Sequence, residues 1–253
     1  MTFRLNAAGF THIGRVRRQN EDALFMAADH GLFAVADGMG GLEFGAWASA
    51  QIIEQLAAAV HAEGFDRRIE AITAAAHRAN AKIYLRSNEQ GLQIGSTLAM
   101  LQIERDRFAV LWAGDSRVYV LRRGALVQLT RDHTHVRELL EQGLLSPDEV
   151  ATHPMKHILA RAVGVQKSLQ LDAVSDDIKG GDVFLLCSDG LTGLVSEGEI
   201  TATLADAAPE RAAQALINLA LVRGGLDNVT VIVVVCEETS CVTIAEPASE
   251  TMQ

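Results

Sequence analysis

The stretch Val229-Thr230-Val231-Ile232-Val233-Val234-Val235-Cys236 (VTVIVVVC, 229–236) is a continuous apolar run broken by a single Thr. A half-exposed strand would alternate polar and apolar residues, so this run reads as a central strand buried on both faces. Ahead of it stands Gly224-Gly225-Leu226-Asp227-Asn228, a glycine-rich turn carrying an acid. Behind it, residues 237–253 are polar and aperiodic and read as a frayed tail.

Working outward, residues 22–36 hold two short apolar runs around Asp29-His30-Gly31 and read as a hairpin. Apolar residues spaced by three and four predict helices over 46–60 and 67–86, with Asp66 as N-cap of the second. Runs at 96–103, 107–113, 117–123 and 125–129 are rich in β-formers and predict antiparallel strands. The stretch 131–164 breaks this rhythm with four His and reads as a flap with short amphipathic helices. Strands resume at 168–174 and 182–188. Ser196 and Glu199 form a capping-box pattern, and Pro209 occupies the first-turn position of a last helix. This order predicts an α+β fold with sheet packed on sheet, in one domain over 1–237 followed by a polar tail over 238–253.

Composition narrows the function. The chain has 253 residues, 22 Lys+Arg against 32 Asp+Glu, and a formal charge of −10. That balance argues against a nucleic-acid partner, which needs a basic face. No apolar run reaches the ~18–20 residues of a membrane span, and the N-terminus lacks a secretory h-region, so a cytoplasmic protein is expected. Three Cys without a CxxC pair indicate neither a disulfide framework nor a zinc knuckle.

The placement of the carboxylates carries more information than their number. Asp37 closes an apolar strand before Gly38-Met39-Gly40-Gly41. Asp189 closes another before Gly190, Asp115 follows Gly114, and Asp227 precedes the 229–236 run. Glu21-Asp22 opens the hairpin. Acids at the mouths of buried strands are costly to desolvate unless a cation meets them. Oxygen-only ligands favour Mg²⁺ or Mn²⁺ over zinc. Rival motifs fail: Glu43 stands where GxGxxG needs glycine, there is no GxxxxGK[ST], and there is no GxSxG elbow. Pro154 argues against a helical His153/His157 metal pair.

Six motifs in order, Arg15-Val16-Arg17-Arg18-Gln19-Asn20-Glu21-Asp22, Val35-Ala36-Asp37-Gly38-Met39-Gly40-Gly41, Gly95-Ser96-Thr97, Ala113-Gly114-Asp115-Ser116-Arg117, Leu186-Cys187-Ser188-Asp189-Gly190-Leu191 and Gly225-Leu226-Asp227-Asn228-Val229-Thr230, resemble the metal-dependent protein phosphatases of type 2C, in particular their compact bacterial members. The likeness spans roughly residues 8–236. It implies a four-layer α-β-β-α sandwich of two antiparallel sheets flanked by helices, with a flap near 131–164. It implies an enzyme hydrolysing phosphoserine and phosphothreonine by attack of a hydroxide bridging two Mg²⁺ or Mn²⁺ ions, with a third, weaker ion.

Carried over by position, Asp37 bridges the two ions and the Gly38 carbonyl binds one. Asp189 and Asp227 complete the second site, Asp115 serves the third ion with Asp189, and Glu21 and Asp22 hold metal-bound waters. Arg17 grips the substrate phosphate and Asn228 orients the last ligand. Expected partners are phosphorylated proteins, namely a Ser/Thr kinase that the enzyme opposes in bacterial signalling and that kinase's substrates. Met39 and Leu42 depart from relatives that carry His at these positions; a thioether cannot protonate a leaving group. His133, in the flap, is a structural residue or a proton donor. A non-catalytic phosphoprotein binder is the rival reading, and the complete set of acids argues against it.

Overall fold

The computed structural model describes residues 3–41, 43–146, 149, 153–155, 158–205 and 208–238. The 229–236 run lies in β11 (Val229–Glu238), hydrogen-bonded between β1 (Phe3–His12) and β10 (Val183–Cys187). With β7 (Arg117–Arg122) and β8 (Ala125–Gln128), these form a sheet in the order β1-β11-β10-β7-β8. The second sheet orders β2 (Asp22–Ala27), β3 (Leu32–Met39), β5 (Leu98–Glu104), β6 (Arg107–Ala113) and β9 (Asp172–Asp177) as β2-β3-β5-β6-β9. A two-residue β4 (Gly95–Ser96) pairs with the end of β3. Every ladder is antiparallel.

Strand parity sorts the core into layers, because successive side chains point to opposite faces. From β11, Ile232, Val234 and Cys236 meet Phe33, Val35, Leu101 and Val110 of the other sheet. Val229, Val231 and Val233 face the other way, onto α5 (Glu197–Leu204) and α6 (Pro209–Val222). On the far side, Leu32, Ala34 and Ala36 of β3 pack against α1 (Phe44–Ala59) and α2 (Phe65–Gln90). Three apolar interfaces separate four layers, so the expected α-β-β-α sandwich is the observed fold. Short helices α3 (His135–Glu141) and α4 (Asp189–Thr192) complete the described elements, with one 3₁₀ turn (Ala28–His30).

Most sequence-predicted elements fall where expected, including the hairpin, the Ser196/Glu199 capping box and Pro209 in the first turn of α6. Four expectations need correction and one strand was missed. Asp66 is not the N-cap of α2; that position is Gly64, and Asp66 lies in the first turn. The strand expected at 168–174 is β9, which begins at Asp172 and continues to Asp177. The 96–103 run is not one strand, since Thr97 separates β4 from β5, and β6 and β7 belong to different sheets. Strand β1 went unpredicted because Asn6, Gly9 and Thr11 interrupt its alternation; pairing with β11 holds it instead. Glu237 and Glu238 are not tail residues, since they pair with Arg4 and Phe3. The rest of the expected tail, 239–253, lies outside the described residues.

Phe184 is fully buried between the sheets, edge-to-face with Phe108 at 4.9 Å. Truncating a buried aromatic leaves a cavity that packed sheets cannot close. Phe184→Ala should therefore lower the unfolding free energy by about 3–5 kcal/mol in urea denaturation; a loss below about 1 kcal/mol would mean the inter-sheet core is not packed as described.

Candidate functional site

Asp22 is the first residue of β2, and its direct cross-strand partner is Asp37 of β3. Residues directly opposite on antiparallel strands project to the same face. Parity places both on the side of Leu24, Phe33 and Val35, at the mouth of the inter-sheet core. Asp115 sits in the β6–β7 turn, Asp189 opens α4 just beyond β10, and Asp227 immediately precedes Asn228 and β11. Arg17, Glu21, Asp37, Gly38, Asp115, Asp189, Asp227 and Asn228 line one cleft of about 860 Å³. Asp22 does not reach the cleft surface; it is buried.

Hydroxyls and one amide hold these acids in place. Asp22 Oδ2 accepts from Ser188 Oγ at 2.8 Å and Thr230 Oγ1 at 2.7 Å, so one carboxylate ties the two sheets together. Its Oδ1 is buried and accepts no hydrogen bond. Thr97 brackets Asp37: its Oγ1 accepts from the Asp37 amide at 2.9 Å, and its own amide donates to the Asp37 carbonyl at 2.8 Å. The Asn228 side chain accepts from the Glu21 amide at 2.7 Å and donates to the carbonyls of Ile13 and Gln19, at 2.8 and 3.0 Å. The loop carrying Arg17 is thereby pinned to the start of β11. A side chain at Gly38 would collide with the Gly45 carbonyl at the start of α1, and one at Gly45 would collide with the Glu21 carboxylate. Glycine is required at 38, where two backbones close on each other, and at 45 it leaves room for the Glu21 carboxylate.

Arg17 is the one Lys or Arg lining the cleft among the described residues, and its Nη2 donates to Asp227 Oδ2 at 2.7 Å. Arg117 is near Asp115 in sequence but spends its fork on Asp132, with Nε and Nη2 bonds of 2.6–3.1 Å. The acids are therefore short of positive charge. Burial, followed by the neighbouring carboxylates Asp22, Asp189, Asp115 and Asp227, holds the Asp37 carboxyl well above its ordinary range. Burial pushes Asp22 up to about 7, against the pull of its two hydroxyl donors, and pushes Asp115 up to about 8 with Asp189 adding to the shift. Glu21 is also raised by burial, with Arg17 opposing.

This donor set suits a hard divalent cation: it is oxygen throughout, crowded, and includes a buried carboxylate oxygen with no proton donor. Among the described residues no three acidic, His or Cys side chains already enclose a common point. Asp227 is also engaged on both oxygens, Oδ2 by Arg17 and Oδ1 by the Asn228 amide at 2.8 Å. An ion taken up by Asp227 would use the lone pairs that these two bonds leave free.

The eight residues named above as lining the cleft were all expected from sequence. The sequence reading left out Ser188 and Thr230 as partners of Asp22, although both lie inside quoted motifs beside an acid. It also missed Ile158 and Leu159, which bring the flap stretch into the cleft lining. Met39 lines the cleft, while Leu42 lies outside the described residues. His133 does not line it: Nδ1 accepts from the Gly114 amide at 3.1 Å, Nε2 faces Asp172 at 3.2 Å, and the ring stacks on Trp112.

Comparison with known proteins bears on the family and the fold. Residues 6–139 match the family model described as Protein phosphatase 2C. The chain is 35% identical over 237 residues to the serine/threonine phosphatase stp of Listeria monocytogenes, covering 88% of this chain and 93% of that one. It is also 35% identical to the serine/threonine protein phosphatase PstP of Mycobacterium tuberculosis over 92% of this chain, and spans 45% of the length of that relative. A crystal structure of the PstP catalytic domain in complex with two manganese ions superposes with a TM-score of 0.84 at 34% identity, covering 94% of this chain and all of that one.

The raised carboxyls fix the sign of a pH dependence. Metal-free, the folded chain holds protons on Asp22, Asp37 and Asp115 that the unfolded chain releases near pH 4, so stability falls as pH rises from about 4 toward 8. His133, lowered by burial, acts in the opposite sense, one group against three. In excess chelator, Tm measured by circular dichroism should drop between pH 5 and pH 8. A Tm that climbs over that range would contradict the crowding of buried carboxyls.

Proposed function

The chain belongs to the protein phosphatase 2C family, and from that premise we propose that it is a metal-dependent phosphatase hydrolysing phosphoserine and phosphothreonine in proteins. The single observation that carries this reading is Asp37, paired across strands with the buried Asp22 and opening into a cleft where, among the described residues, Arg17 is the one Lys or Arg. Asp37, the Gly38 carbonyl, Asp189 and Asp227 would hold two core Mg²⁺ or Mn²⁺ ions, Glu21 and Asp22 would hold their waters, and Asp115 with Asp189 a third ion. When bound, such ions supply Lewis acidity, neutralising phosphoryl oxygens and lowering the pKa of a nucleophilic water toward neutrality.

The chain's own groups do the rest. Arg17 uses one Nη2 contact on Asp227 and keeps the remaining donors of its planar fork for two parallel bonds to a phosphoryl group. Asn228 fixes where that fork stands, since it holds the Glu21 amide and the Ile13 and Gln19 carbonyls around the Arg17 loop. Thr97 fixes the Asp37 backbone, and Ser188 and Thr230 fix Asp22, so the acids need little reorganisation during reaction. Met39 supplies no proton at the cleft. A Ser/Thr kinase and its targets are the partners this activity calls for.

Hydrolysis of p-nitrophenyl phosphate tests the reading. With Mn²⁺ the purified protein should turn over substrate, and excess chelator should reduce the rate by at least about 100-fold. A rate indifferent to chelator would overturn the metal-dependent mechanism.

A further inference from the structure

A phosphoryl group occupies little of a cleft of about 860 Å³, a volume near the upper end of the ~300–1,000 Å³ that whole organic ligands fill. The unfilled part has a chemical character of its own. Beyond the acids and Arg17, its lining includes Ile158, Leu159, Leu194 and Leu226. Leu226 is 61% exposed and Ile158 46%, and Val16, next to Arg17, is 62% exposed. Large apolar side chains scattered singly over a surface need no explanation, but Leu226 and Ile158 line one cleft, around the residue assigned to the phosphate, and Val16 neighbours that residue in the chain.

Their positions are also rigidly set. The Arg15 amide donates to the Gly225 carbonyl at 2.7 Å, joining the loop that carries Val16 and Arg17 to the loop that carries Leu226 and Asp227. Arg17 and Asp227 repeat the link through their side chains, and Asn228 repeats it through Ile13 and Gln19. On the flap side, Ile158 is tied at both ends of its peptide, accepting from the His135 amide at 2.9 Å and donating to the Met155 carbonyl at 3.0 Å. Exposed apolar groups held on fixed backbone lose little entropy when a partner covers them. Acidic neighbours of a phosphorylated residue find few partners here: among the described residues Arg17 is the one Lys or Arg in the lining, and it already meets Asp227.

Resting on the phosphatase reading above, we propose that the cleft selects phosphopeptide segments with bulky apolar residues flanking the phosphorylated Ser or Thr, gripped by Val16 and Leu226 beside Arg17 and by Ile158 from the flap. Specificity then comes from apolar contact beside the phosphate, while Arg17 and the acids handle every phosphoester alike.

The test uses two phosphothreonine peptides of one sequence, with Leu or with Gln on both sides of the phosphothreonine, alongside p-nitrophenyl phosphate, all with Mn²⁺. The Leu peptide should show kcat/KM at least about tenfold higher, the discrimination an apolar pocket ordinarily supplies. In the double variant Val16→Ser/Leu226→Ser that ratio should fall to within about twofold, and Ile158→Ser should reduce it part-way. Both variants should keep the wild-type rate on p-nitrophenyl phosphate and the wild-type circular dichroism spectrum. Equal rates on the two peptides in the wild type, or a ratio that survives the double variant, would overturn the proposal while leaving the phosphatase reading intact. No hydrolysis of any of the three substrates would instead overturn the phosphatase reading and the proposal with it.

Discussion

The β2–β3 register places two carboxylates, Asp22 and Asp37, directly opposite each other at the mouth of an apolar core. Two like charges ~5 Å apart repel by about 3 kcal/mol at an effective dielectric of ~20. Asp115, Asp189 and Asp227 stand close enough to add to the cost. A domain's whole stability is ~5–15 kcal/mol, so the cluster cannot remain ionised without compensation. Protons supply it in the metal-free chain, which is why the carboxyls sit so high; under the proposed function divalent cations would take their place. The rest of the structure follows from that constraint. Ser188 and Thr230 converge on one oxygen of Asp22, Thr97 brackets Asp37, and glycines at 38 and 45 let the Glu21 loop and α1 approach. The strands are long and buried, and their ends are left to the acids.

Much of this was legible in the sequence because the parities agree. In 229–236 every residue is apolar or Thr, which demands cover on both faces, and the structure supplies a sheet on one and helices on the other. The acids were legible for a related reason: a carboxylate terminating an apolar run is a local contradiction, and several such contradictions point to a shared cation. What was hidden is long-range. Nothing local to Phe3–His12 marks it as a strand, because its stabilisation comes from pairing with β11, more than two hundred residues away. Thr97 divides β4 from β5 by turning its bonds to Asp37, which no propensity records. The sheet change between β6 and β7 follows from the Gly114-Asp115 turn serving the cleft instead of a hairpin.

The net charge of −10 acquires a different meaning in this light. An acidic protein is a poor host for a dianionic phosphate ester unless its charge is inverted where the ester binds. Under the proposed function the acids concentrated at the cleft would perform that inversion by recruiting cations; among the described residues Arg17 is the one Lys or Arg in the lining. Polar recognition is consumed at the phosphate. In the proposal, apolar contacts at Val16, Leu226 and Ile158 are what tell one phosphoprotein from another.

The central claim is that the carboxylates converge to hold divalent ions, with Asp37 shared between them. Calorimetric titration of the metal-free protein with Mn²⁺, wild type beside Asp37→Asn, tests it most directly. The account predicts saturable uptake of two ions by the wild type and loss of that uptake in Asp37→Asn, with the circular dichroism spectrum of the two proteins the same. Uptake undiminished by Asp37→Asn, or none in the wild type, would contradict it.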